Sequence, residues 1–151
     1  MACTPWRPVL TTEEPYQQDP VGFCIQELKS GDPAVRYTAV DILRACGPDS
    51  GRAVKPLLDL LQVEQDLQTR RHIAFTLQDI ARYLPSEMAA VEAELLAASR
   101  DEDQEVRSSL ASLFAEARMT SPKVLTRLQQ MVHDPDPEVS EYSQRSLEML
   151  A

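Results

Sequence analysis

Three arginines, Arg36, Arg70 and Arg107, have the type and spacing to do chemistry together, since cations set one repeat apart could follow the phosphates of a nucleic-acid backbone. Each ends a phrase that returns along the chain. DPAVR at 32–36 recurs as DLQTR at 66–70 and DQEVR at 103–107, then as DPEVS at 136–140, with Ser140 in the arginine's place. The formal charge of −9 works against a phosphate track, because the overall field of the protein repels a polyanion.

Other chemistry is sparse. His72 and His133 lie far apart, outside any HExxH or HxH context, so no framework for a metal is expected. No GxxxxGK[ST], GxGxxG or GxSxG is present, and four glycines could hardly build a phosphate-cradling loop. Asp101, Glu102, Asp103 and Glu105 crowd together, but an acidic cluster in a turn between helices reads as capping charge rather than a general acid/base pair. Cys3, Cys24 and Cys46 are odd in number and form no CxxC. Cys24 and Cys46 read as small buried hydrophobes, and a reducing cytoplasm is the expected compartment. Neither a catalytic residue nor a cofactor is expected.

The elements that position these residues follow from the same phrases. The leading aspartates, Asp32, Asp66, Asp103 and Asp136, are 34, 37 and 33 residues apart, a period typical of a solenoid. Each aspartate is a helix N-cap, and Pro33 and Pro137 occupy the first helical position, where a missing N–H costs nothing. Apolar residues then recur at helical spacing: Val35, Ala39, Ile42, Leu43 and Cys46; Thr69, Ile73, Leu77 and Ile80; Val106, Leu110, Leu113, Phe114 and Ala117; Val139, Leu147 and Leu150. Four further helices are expected between them: from Pro20 to about Lys29, from about Arg52 to Gln65 with Pro56 kinking or tightening its start, from Ser86, and from Ser121-Pro122. The fold class that results is all-α, a right-handed α-solenoid of about four helical hairpins, over 20–47, 51–84, 86–118 and 121–151. Residues 1–19 stand outside the array. Trp6, Val9 and Leu10 could cap its first hairpin, or the prolines around Trp6 could mark a peptide that binds another protein.

The Asp-Pro-x-Val-Arg phrase, followed by Ala and Leu at fixed offsets, resembles HEAT repeats, in particular the short bacterial type also seen in the phycobilin-lyase HEAT-like family. The resemblance covers residues 20–151. It implies that an acid five residues before the Val and the Arg after it join a hydrogen-bonded ladder between repeats. Those positions hold Ser30, Glu64, Asp101 and Asp134, and Arg36, Arg70, Arg107 and Ser140, so the departures fall in the first and last repeats. On this reading the three arginines are structural. The iron-dependent hydroxylases of the family carry repeated His-Glu pairs, which this chain lacks.

In HEAT arrays the second helices line the concave side. Offsets of +1, +5 and +8 from each ladder arginine point away from the core stripe. They give Tyr37, Asp41 and Arg44; Arg71, Phe75 and Gln78; Ser108, Ser112 and Ala115; Glu141, Arg145 and Glu148. Tyr37 and Phe75 stand out as aromatics beside Arg71 and Arg44, the residue types that anchor protein interfaces. Tyr37, Asp41, Arg44, Arg71, Phe75, Gln78 and Arg145 are therefore the candidate binding residues. The expected function is a non-catalytic interaction module, or adaptor, for a basic or neutral protein partner. The alternatives are an accessory or lyase-type protein holding a tetrapyrrole or another small ligand in the groove and, more weakly, a HEAT-like nucleic-acid glycosylase. No run of apolar residues is long enough for a membrane span, and the first residues lack the apolar stretch of a secretory signal, so a cytoplasmic location is expected.

Overall fold

The structure, a computed structural model, describes the backbone of residues 13–151 and the side chains from Tyr16 onward. Trp6, Val9 and Leu10 lie outside the described residues. Among the described residues, ten α-helices and one 3₁₀ segment follow in order: α1 (Glu13–Gln18), α2 (Pro20–Glu27), α3 (Pro33–Cys46), the 3₁₀ segment (Gly47–Ala53), α4 (Val54–Val63), α5 (Leu67–Ala81), α6 (Pro85–Ala90), α7 (Glu92–Ala98), α8 (Gln104–Glu116), α9 (Pro122–Met131) and α10 (Pro137–Leu150). No strand occurs among the described residues.

The repeated aspartates start the helices as their chemistry dictates. Asp32 accepts from the Ala34 N–H at 2.9 Å, Asp66 from Thr69 at 2.9 Å, Asp103 from Val106 at 3.1 Å, and Asp136 from Glu138 at 3.0 Å. Each cap satisfies a donor that the first turn leaves orphaned, worth roughly 0.5–2 kcal/mol per helix. The helices begun in this way, α3, α5, α8 and α10, lie side by side in one layer. In the other layer are α2, α4, α7 and α9, each packed against the capped helix that follows it. Leu43, Leu57, Leu58, Ile73, Leu77, Leu95, Leu110, Phe114 and Leu128 fill the space between the layers.

Neighbouring hairpins are joined by ion pairs. Arg36 forks onto Glu64 at 2.7 and 2.8 Å, Arg70 pairs with Asp101, and Arg107 forks onto Asp134 at 2.9 and 3.0 Å. Each acid also accepts the backbone N–H of the next capping aspartate: Asp66 to Glu64, Asp103 to Asp101, Asp136 to Asp134. One carboxylate thus ties the arginine of one hairpin to the helix start of the next. Planar guanidinium and carboxylate groups suit this two-point contact, and its charge-assisted bonds are stronger than neutral ones.

The structure departs from the expected elements in several places. The helix expected from Arg52 starts at Val54, and the chain tightens ahead of it in the 3₁₀ segment. Pro56 falls in the first turn of α4, where its missing N–H has no intrahelical partner to lose. The helix expected from Ser86 is two short helices broken at Val91, whose N–H bonds to Met88 at 3.1 Å. The break keeps Met88, Val91 and Leu95 all on the core side. Val35, Ile42 and Cys46 in the first hairpin, and Leu147 and Leu150 in the last, are half-buried rather than buried, because among the described residues only one other hairpin packs against each of these two. Val40, absent from the expected stripe, is buried instead. Part of the segment assigned to 1–19 forms α1, where Tyr16 meets the edge of Phe23 with ring centroids 5.9 Å apart.

Candidate functional site

The capped helices α3, α5, α8 and α10 line an open groove of about 400 Å³. Tyr37 enters it from α3; Gln68, Arg71, His72, Phe75 and Gln78 from α5; Glu105, Ser108, Ser109 and Ser112 from α8; Glu138 and Tyr142 from α10. A helix repeats every 3.6 residues, so one face of each rod supplies positions three or four apart, and stacking four rods makes that face continuous.

One end of the groove is aromatic. Tyr37 stacks on His72, with centroids 4.2 Å apart and planes 17° from parallel. The His72 Nε2 lies 3.4 Å from Oδ1 of Asp41, and the same oxygen accepts from Nη2 of Arg44 at 3.1 Å. The Arg44 guanidinium then sits over Phe75, 5.6 Å from the ring centroid. Tyr37, His72, Asp41, Arg44 and Phe75 therefore form one connected cluster across α3 and α5. Burial holds the His72 imidazole below its ordinary pKa, and Arg44 pushes the same way against the pull of Asp41, so the ring favours its neutral form. Tyr37 and Phe75 remain 42% and 45% exposed, which leaves their rings available to a ligand.

The other end is acidic. Glu105 and Glu138 line it, while Arg71, the one Lys or Arg on the groove wall among the described residues, is already taken. Its Nη2 donates to Asp103 at 2.8 Å, its Nε to the same carboxylate at 3.1 Å, and its Nη1 lies 3.2 Å from Glu105. Its hydrogen bond to Asp103 raises the Arg71 pKa further above the usual range. A partner carboxylate would have to displace Asp103 or Glu105 to reach Arg71. Its charge is spent within the protein.

Of the seven candidate residues, the structure brings Tyr37, Arg71, Phe75 and Gln78 into the groove wall, and Asp41 and Arg44 contact its His72 and Phe75. Arg145 lies outside the lining, paired with Glu141 at 2.6 Å and 5.8 Å from the Tyr142 ring centroid. Ser108 and Ala115, placed at exposed offsets, are buried, because α8 has a hairpin packed on both sides. The sequence reasoning missed His72, Ser109, Tyr142, Gln68, Glu105 and Glu138. All six sit two residues before or after a ladder position, at 70, 107 or 140. Offsets of −2 and +2 stand one helical turn apart on the face that also carries +5, so they were within reach of the same counting.

Little in the structure points to covalent chemistry. The Cys24 thiol is buried and pushed up to about 11, which keeps it protonated, and burial raises Cys46 as well. No group of three His, Cys, Asp or Glu side chains converges as a metal site among the described residues. No helix among them is long and apolar enough to cross a membrane.

The layered hairpins and the groove along one layer define an α-solenoid built from helical repeats. No family model and no curated protein matches the chain. Among solved structures, a designed armadillo repeat protein in complex with the peptide (KR)4 matches with a TM-score of 0.72 and 15% identity, over 93% of this chain and 68% of its own. A second designed armadillo repeat protein matches with a TM-score of 0.68 and 15% identity, over the same shares. An engineered protein solved by the Northeast Structural Genomics Consortium matches with a TM-score of 0.64 and 20% identity, over 95% of this chain and 67% of its own. At these identities the likeness establishes the fold, an armadillo-like solenoid, and leaves function to the residues of this chain.

Proposed function

We propose that the chain is a protein-interaction module whose concave groove takes an extended, basic segment of a partner. The observation that carries the reading is the pairing of exposed aromatic faces with a carboxylate rim in one groove. Tyr37 and Phe75 offer rings over which a guanidinium or ammonium can sit, and Glu105 and Glu138 offer acceptors further along. The formal charge of −9 would speed the approach of a basic partner. The fold likeness to a designed protein bound to (KR)4 is compatible with this partner chemistry. The three ion-paired joints fit the HEAT-type ladder that the sequence resembles. They also weaken the glycosylase reading, since Arg36, Arg70 and Arg107 each already face an acid. A tetrapyrrole would bring its propionates toward Glu105 and Glu138, an unfavourable meeting of like charges.

The test is fluorescence anisotropy with a labelled (KR)4 peptide and the full chain. Saturable binding that weakens with salt supports the reading. Its absence, or binding unchanged in Glu105→Gln/Glu138→Gln, would remove this groove as the site.

A further inference from the structure

Nine of the fourteen lysines and arginines among the described residues pair with a carboxylate. In a protein with 24 acidic residues this is the expected outcome. The other five are Lys29, Arg100, Arg118, Lys123 and Arg127, and three of these meet in one place. Arg100, Lys123 and Arg127 line a groove of about 390 Å³ between α7 and α9, in the layer that does not form the concave face.

The cluster is held in position. Arg127 donates from Nε to the Ser99 hydroxyl at 2.9 Å, from Nη2 to the Ser99 carbonyl at 2.9 Å, and from Nη1 to Gln130 at 3.3 Å. Its guanidinium is thereby fixed with neutral partners and with Arg100 as a charged neighbour; burial and that like charge both hold its pKa below the usual range. Asp134, the acid whose charge is felt at Arg127, is committed to Arg107, and Asp101, next to Arg100 in the chain, is committed to Arg70. Arg100 and Lys123 are exposed, and Lys123 lies in the first turn of α9, where the helix dipole adds to the positive potential. Leu96 and Pro122 supply apolar wall beside the charges.

We propose that this groove docks a short acidic segment of a partner protein, its carboxylates on Arg100, Lys123 and Arg127 and an apolar side chain against Leu96 and Pro122. Charge complementarity selects the occupant. Three cations with no carboxylate partner among the described residues, set at one hairpin joint, match a few carboxylates, whereas a long polyanion would run from them onto the acidic remainder of the surface. The site is independent of the concave groove, lies on the other layer and has the opposite sign, so a partner could engage one without the other.

The probe is a fluorescein-labelled peptide of sequence EELEE, titrated with the full chain at low salt. Binding should be saturable and should weaken by about tenfold or more in Arg100→Glu/Lys123→Glu. Lys29→Glu/Arg118→Glu changes net charge equally and should leave it unaltered. Circular dichroism melts of both variants confirm that each is folded, which both exposed pairs allow. Failure of the peptide to saturate, or equal loss in the two variants, would overturn the site. Tighter binding of a labelled oligothymidylate than of the peptide would overturn the proposed partner.

Discussion

Arg70 and Arg71 are neighbours in sequence and belong to different regions of the molecule. Arg70 faces the joint between hairpins and pairs with Asp101, while Arg71 faces the groove and forks onto Asp103. The joint is repeated three times with nearly the same parts: an arginine, an acid from the next hairpin, and the capping N–H that the acid also accepts. The groove reuses the same helix positions but, apart from Glu105 and Glu138, fills them with different residues. Its α3 and α5 walls are aromatic, its α8 floor is serine, and its far rim is acidic. What recurs holds the array together, and what varies along the array is free to recognise something.

Substitutions can separate the two regions, beginning with the core that both depend on. Leu77 is fully buried in α5, so Leu77→Ala should cost about 2–5 kcal/mol of stability and weaken peptide binding only by unfolding the chain. Urea titration followed by circular dichroism checks it. Arg107→Ala should cost about 1–3 kcal/mol, because Asp134 keeps its burial and loses its two strongest donors. Affinity per folded molecule should not change. If Arg107→Ala abolished peptide binding and left the melt untouched, the joint would have to be reassigned as a binding surface.

Acid should act on the joints first. The hydrogen bond from Arg36 holds Glu64 below its ordinary value of 4.5, so the folded state binds its proton less readily than the unfolded chain. The stability this pair supplies is therefore present above about pH 4.5 and lost as pH falls through the lowered value. Glu64→Gln should flatten the melting temperature between pH 5 and pH 3 relative to the parent. His72 gives the smaller and earlier effect. Its pKa is depressed from 6.5, so the fold prefers the neutral ring, and stability begins to fall as pH drops below about 6.5. His72→Gln should remove that shallow slope, read from melts between pH 7 and pH 5, and leave the steeper loss below pH 4.5 in place.

The helix starts at the joints were legible in the sequence because their parts are local: an aspartate cap and a proline at the first helical position, with the period announcing the stacking. The pairing of each arginine with an acid about 30 residues on is not local, and it was expected only because the repeats resemble the HEAT ladder. The groove was legible by half. Counting offsets found Tyr37, Arg71, Phe75 and Gln78, whose positions depend on one helix at a time. It missed His72 and Tyr142, and it placed Ser108 and Ala115 in solvent, because the width of the exposed strip depends on how closely neighbouring helices pack. That is a tertiary quantity. The break at Val91 escaped for the same reason, since Met88, Val91 and Leu95 read equally well as one continuous stripe.

The most direct test is a paired one on Phe75→Ala, reading both the melt and the affinity for labelled (KR)4. Phe75 is 45% exposed and touches Arg44 from the groove side, so the melt should shift little. Affinity should fall by roughly 1–2 kcal/mol, the usual effect of losing an aromatic anchor. A large drop in stability with unaltered affinity per folded molecule would contradict the account and make Phe75 part of the packing.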